Sequence, residues 1–175
     1  MSKKITSLFN FKKLQKFSSA LMLPIAILPA AGLILAIGIS FNIELLANCG
    51  GLIFANLPLL FCVGIVIGLT GDGSSSLSAI ISYMIMNATM GTQLGITAES
   101  VAASNGDYAM ILGVPTLQTG VFGGLIVAIF VYLLYTRFHN IELPQFLGFF
   151  GGKRFVPIIT AVAAIIVGYL LPWLW

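Results

Sequence analysis

The stretch FFGGKRFVPI, residues 149–158, holds the side chains best suited to chemistry: Lys153 and Arg154 stand side by side behind Gly151 and Gly152. Adjacent cations are the residue types that meet anions or the charged surface of a membrane. Other candidate chemistry is sparse. GDGSSS, residues 71–76, looks like a phosphate-cradling loop but lacks the GxxxxGK[ST] pattern and a preceding strand, so it reads as a turn. His139 is the one histidine and reads as a solvated loop residue. No carboxylate pair, metal-type cluster or Ser/His/Asp set is evident. Cys49 and Cys62 have no metal spacing and define no disulfide framework. No metal, cofactor or catalytic residue is therefore expected.

These few polar groups sit in a chain of 175 residues that is 59% hydrophobic and 7% charged. Soluble domains carry about 25% charged residues. The deficit implies an all-α, polytopic integral membrane protein embedded in a lipid bilayer. Roughly 20 apolar residues cross a hydrocarbon core. Five stretches qualify: residues 17–41, 45–69, 74–96, 112–135 and 155–175. The third is the weakest, because Ser82, Asn87, Thr89 and Gln93 are polar. Those groups are expected to face other helices rather than lipid.

The eight cations are Lys3, Lys4, Lys12, Lys13, Lys16, Arg137, Lys153 and Arg154. A cytosolic N-terminus puts all of them on the cytosolic side and leaves Glu44, Glu99 and Asp107 outside. The positive-inside rule favours that orientation. The same clustering argues against a nucleic-acid partner. Tyr132, Tyr135, Trp173 and Trp175 fall at span ends, as interfacial aromatics do.

Residues 1–16 form a basic cytosolic segment. Helical spacing from Phe11 separates Phe11, Leu14, Phe17 and Leu21 from Lys12, Lys13 and Lys16, which predicts a short basic amphipathic helix with a break near Asn10, the competing reading being a plain basic flank of the first span. Pro24 and Pro29 kink the first span, and Pro58 the second. Gly64/Gly68, Gly91/Gly95 and Gly120/Gly124 are GxxxG pairs that permit close helix approach. The polar segment 97–113 reads as an outside connector, with a lid as the alternative.

Taken with LMLPIAILPAAGLILAIG, FANLPLLFCVGIVIGL, GVPTLQTGVFGG and LPQFLGFFGGKRFVPI, the chain resembles enzyme IIC, the membrane subunit of the phosphoenolpyruvate-dependent sugar phosphotransferase system, in its glucose and N-acetylglucosamine branch. The resemblance covers nearly the whole chain, and GVPTLQTGVFGG is most similar to glucose-type permeases. It implies a homodimeric transporter in a bacterial cell membrane that moves a sugar inward. A cytosolic enzyme IIB partner then phosphorylates the sugar from a phosphocysteine. On that reading Lys153 and Arg154 face the phosphodonor, Gly151 and Gly152 permit a tight turn, and Pro157 starts the last span. The competing role for the two cations is an interfacial anchor.

The departures matter too. The family's sugar-contacting His and Glu motifs have no match here, and neither cysteine matches the phosphorylated one of enzyme IIB. Within MNATM, Ala88 stands where relatives often carry a basic residue. An odd span count leaves Trp175 outside. The chain is therefore expected to be the N-terminal half of an enzyme IIC, inactive alone. The alternative is a stand-alone membrane dimerisation protein that carries no sugar.

Overall fold

The computed structural model describes residues 11–142 and 144–175. Helix α1 (Phe11–Ser40) turns at Asn42, whose φ is +52°, into α2 (Glu44–Ala55). Gly50 lets the two lie close, since a Cβ there would stand 2.7 Å from Leu35 Cα. The second expected span is broken. Helix α3 (Leu57–Thr70) leaves α2 at 57°. The break falls at Asn56, whose side chain donates to Leu52 O at 2.8 Å, and Pro58 occupies the first turn of α3 rather than a helix interior. There its missing N–H costs nothing.

Helix α4 (Gly73–Gln93) is the core of the bundle. At 21 residues it measures about 31 Å. Of its polar residues expected to face other helices, Ser82 and Asn87 are buried, while Thr89 and Gln93 are half-buried; Ser75 and Ser78 are buried as well. Cys62, Ile65 and Val66 of α3 join Ala79, Tyr83, Met86 and Met90 of α4 in the core. Val127, Ala128 and Val131 of helix α6 (Gly120–Phe138) complete it. Helix α7 (Val156–Leu174) lies along α4, where Gly168 brings the two backbones together. Outward residues such as Met22, Leu33, Ile39 and Ile166 are apolar and exposed.

Among the described residues, three helices are long and apolar enough to cross a membrane: those at Gln15–Ser40, Gly120–Phe138 and Gly152–Leu174. The bent α2–α3 pair makes four if it counts as one span. Helix α4 is long enough, but its polar inward face lowers its hydropathy.

Several expectations need correcting. The fourth expected span, residues 112–135, begins late, its helix starting at Gly120. The connector is folded. Helix α5 (Ala98–Ala103) has a capping box between Thr97 and Ser100. Strands β1 (Tyr108–Ile111) and β2 (Val114–Leu117) form an antiparallel hairpin. Leu112 and Gly113 both have positive φ, +52° and +81°, as a two-residue hairpin turn requires. Residues 11–16 run unbroken into α1, so no separate helix exists there. The break near Asn10 lies outside the described residues.

The GxxxG pairs are mostly spent inside the chain. A Cβ on Gly64 would lie 2.8 Å from Pro24 Cδ, and one on Gly68 2.6 Å from Ala20 Cβ. Gly91 abuts Pro115 O and Gly124 abuts Pro58 O. Gly95 and Gly120 instead supply positive φ, +62° and +54°.

Alternation of the long elements gathers one set of ends together. The start of α1, the α3–α4 turn, the end of α6 and the start of α7 meet at a basic end carrying Lys16, Arg137, Lys153 and Arg154. Glu44, Glu99 and Asp107 lie toward the opposite end, with the hairpin.

Candidate functional site

The basic end is organised around Asp72, which sequence reasoning passed over as part of a turn. Gly71, with φ +69°, ends α3, and Asp72 caps α4. Its Oδ1 accepts from Ser74 N at 3.2 Å. Its Oδ2 accepts from Tyr135 Oη at 2.7 Å and pairs with Lys153 Nζ at 3.0 Å. Three distant segments thus meet on one carboxylate. The Tyr135 hydrogen bond first, then Lys153, holds the Asp72 carboxyl at about 2, below its ordinary 3.8. Around it, Thr70 Oγ1 and Ser75 Oγ lie 2.5 Å apart, and Ser75 Oγ donates to Asp72 O at 2.6 Å. Of GDGSSS only Gly71 and Asp72 form the expected turn, while Gly73–Ser76 open α4, so the turn presents a carboxylate at a helix start.

Tyr135 is buried and serves Asp72, rather than acting as an interfacial aromatic. His139, in the turn after α6, is half-buried rather than fully solvated. Its ring stacks on Tyr135 at 5.0 Å, with Nδ1 2.9 Å from Tyr135 O. It lines a cavity of about 650 Å³ with Asn140, Glu142 and the loop glycines.

The expected loop residues lie together but do different things. Gly152 has φ +64° and donates its N–H to Ile141 O at 2.9 Å, which pins the loop. That φ favours glycine. Gly151, with φ −67°, has no such requirement. Lys153 is 61% exposed although paired with Asp72. Arg154 lies over the Phe149 ring at 4.9 Å and donates to Phe149 O at 3.4 Å. Phe138 and Phe155 pack edge-on at 6.1 Å, fixing the loop to α6. Pro157 stands in the first turn of α7, as predicted.

Towards the hairpin, Ala88 lines two open grooves. One, of about 500 Å³, runs between α4 and α7 past Thr89, Thr92, Gln93 and Tyr169. The other, of about 270 Å³, lies between α4 and β2. The hydroxyls of Thr89 and Thr92 donate to the helix's own carbonyls, Ile85 O and Ala88 O.

Comparison with known proteins adds two findings. A family model described as "Phosphotransferase system, EIIC" matches residues 18–175. Over 94% of its length the chain is 44% identical to the "PTS system glucose-specific EIICBA component" of Staphylococcus saprophyticus, and it spans 27% of that protein.

Proposed function

We propose, since the chain belongs to the phosphotransferase system EIIC family, that it is a membrane-embedded part of a sugar permease, with a glucose-type sugar as substrate. The similarity to a glucose-specific component over nearly all of this chain carries the reading. The complete activity, inward transport coupled to phosphorylation by an enzyme IIB phosphodonor, belongs to an assembly of which this segment is one part. By itself the segment neither transports nor phosphorylates sugar. Two copies of the assembly form a homodimer in the bacterial cell membrane.

The chain crosses that membrane five times, by α1, the bent α2–α3 pair, α4, α6 and α7. The gathering of described cations at one end of the bundle supports a cytosolic N-terminus and a cytosolic loop at residues 139–155. Single cysteines at Ser104 and Asn140, in a background lacking Cys49 and Cys62, test this with an impermeant thiol reagent on whole cells. Labelling at 140 but not 104 refutes the orientation.

The loop around Gly151 and Gly152 presents Lys153 and Arg154 to the phosphodonor. The exposure of Lys153 on a loop pinned at Gly152 supports this. The decisive experiment is sugar phosphorylation in membranes lacking other permeases, with the remaining permease parts and enzyme IIB supplied. Removing a donor oriented at a charge-developing site costs about 10²–10³ in rate. Lys153→Ala or Arg154→Ala should therefore slow turnover well beyond any loss of abundance. A loss under about threefold in both matches screened interfacial anchors instead.

A further inference from the structure

The Lys153–Asp72 pair is unequal. Asp72 is 16% exposed and Lys153 61%. If Lys153 leaves, Asp72 Oδ2 still accepts from Tyr135 Oη and Oδ1 from Ser74 N. The carboxylate also sits at the N-terminus of α4, where the helix dipole favours negative charge. Consistent with this, the Tyr135 hydrogen bond is the largest single influence that keeps Asp72 ionised. Lys153, by contrast, has no other ion-pair partner among the described residues. The loop itself is fixed by Gly152 and by the Phe138–Phe155 contact, so Lys153 can move by side-chain rotation alone.

We infer that Asp72 is an exchangeable counter-ion: it parks Lys153 on the loop and yields it to the phosphate group of an incoming partner, while Tyr135 and Ser74 hold the vacated carboxylate. The inference rests on the proposed phosphodonor-facing role of this loop. Asp72 and Tyr135 are positioning residues that act through Lys153. The exchange is favourable because a pair open to solvent on its Lys153 side is weak, whereas a phosphate brings up to two charges and three acceptor oxygens. Arg154 does not compete for Asp72, being held on Phe149.

The geometry gives two substitutions opposite signs. Asp72→Asn removes the competing charge and keeps an N-cap of similar quality, so phosphate should capture Lys153 more readily. Tyr135→Phe takes away the donor that tolerates the vacated state, so Asp72 should hold Lys153 harder. A merely structural role moves both variants the same way.

The probe is inorganic phosphate at constant ionic strength, titrated into the chain in phosphatidylcholine nanodiscs and followed by carbon-labelled Lys153 Cε resonances. An exposed pair sets the scale at about two- to fivefold. Apparent phosphate affinity should rise by that factor in Asp72→Asn and fall in Tyr135→Phe, and Tyr135→Phe should have no effect once Asp72 is Asn. Shifts of the same sign overturn the inference. So does a Lys153 resonance that ignores phosphate but responds to phosphatidylglycerol in the disc, which would assign its anion to lipid. If Asp72→Asn does not fold, Tyr135→Phe against the unaltered chain decides alone, and unchanged or tighter phosphate capture overturns the inference. The titration uses neither sugar nor enzyme IIB. Failure here leaves the permease reading standing, whereas failure of the phosphorylation assay removes the partner's phosphate as the anion and leaves only an exchange with free phosphate.

Discussion

Gly168→Ala offers a direct test of how α7 is held on α4. A Cβ at Gly168 would stand 2.8 Å from Met86 O, 2.9 Å from Thr89 Cβ and 3.1 Å from Met86 Cα. Two of those neighbours are helix backbone and cannot rotate away. The helices must separate by several tenths of an ångström along their seam, or the chain must bend. Overpacking of this kind costs about 1–3 kcal/mol. The same exchange also gains helix propensity, about 1 kcal/mol, which would blur a single measurement. Gly51→Ala supplies the control, because Gly51 is also helical and nothing lies within 4 Å of its added Cβ. Propensity then cancels in the difference between the two variants. Thermal unfolding in one mild detergent should place Gly168→Ala lower. At about 2–4 °C per kcal/mol for a chain of this size, the gap should be a few degrees to about ten. Equal midpoints would refute the close α4–α7 contact.

Three further outcomes follow from the geometry. Asp72 has a folded-state acid constant of about 2, below the ordinary 3.8, so its contribution to stability is present above about pH 4 and is lost as pH falls towards 2; unfolding midpoints between pH 2 and 7 should show this loss in the unaltered chain and much less of it in Asp72→Asn. Cys49 is exposed and Cys62 buried, with its Sγ 3.8 Å from Ala79 O; a membrane-permeant maleimide should label Cys49 in the folded protein and reach Cys62 only on denaturation, and equal rates would contradict the core. Thr97→Ala removes the side chain that accepts from Ser100 N at 3.2 Å, a cap worth about 1 kcal/mol; hydrogen exchange should rise roughly fivefold over Ala98–Ala103 and little in β1 and β2 if the hairpin stands independently of α5.

Much of the architecture was legible because apolar length is a local property. The first, fourth and fifth spans needed only counting, and the helices at Gln15–Ser40, Gly120–Phe138 and Val156–Leu174 answer to them, with the fourth starting late. Pro58 correctly marked a disturbance in the second span, and of the polar residues of the third Ser82 and Asn87 are buried while Thr89 and Gln93 stay half-buried. The family, too, was readable from short stretches such as GVPTLQTGVFGG. The hairpin was not, because Leu112–Gly113 is a poor hairpin signal beside Asn-Gly and the flanking residues are apolar enough to pass for a helix. Whether Val114–Leu117 forms a strand was decided by its partner, Tyr108–Ile111, and by the close approach of Pro115 to Gly91. The site was hidden for the same reason on a larger scale. Nothing near Asp72, Tyr135 or Lys153 in the chain announces that the three meet. Tyr135 looked like an aromatic anchor, Asp72 like a turn residue and Lys153 like a cation meeting a phosphodonor or anchoring a span. Hydrophobicity and charge fix which segments enter a membrane one segment at a time. A hydrogen bond between residues 63 positions apart exists only once packing has brought α3, α4, α6 and α7 to a common end. There a buried hydroxyl and a helix N-terminus together stabilise one carboxylate.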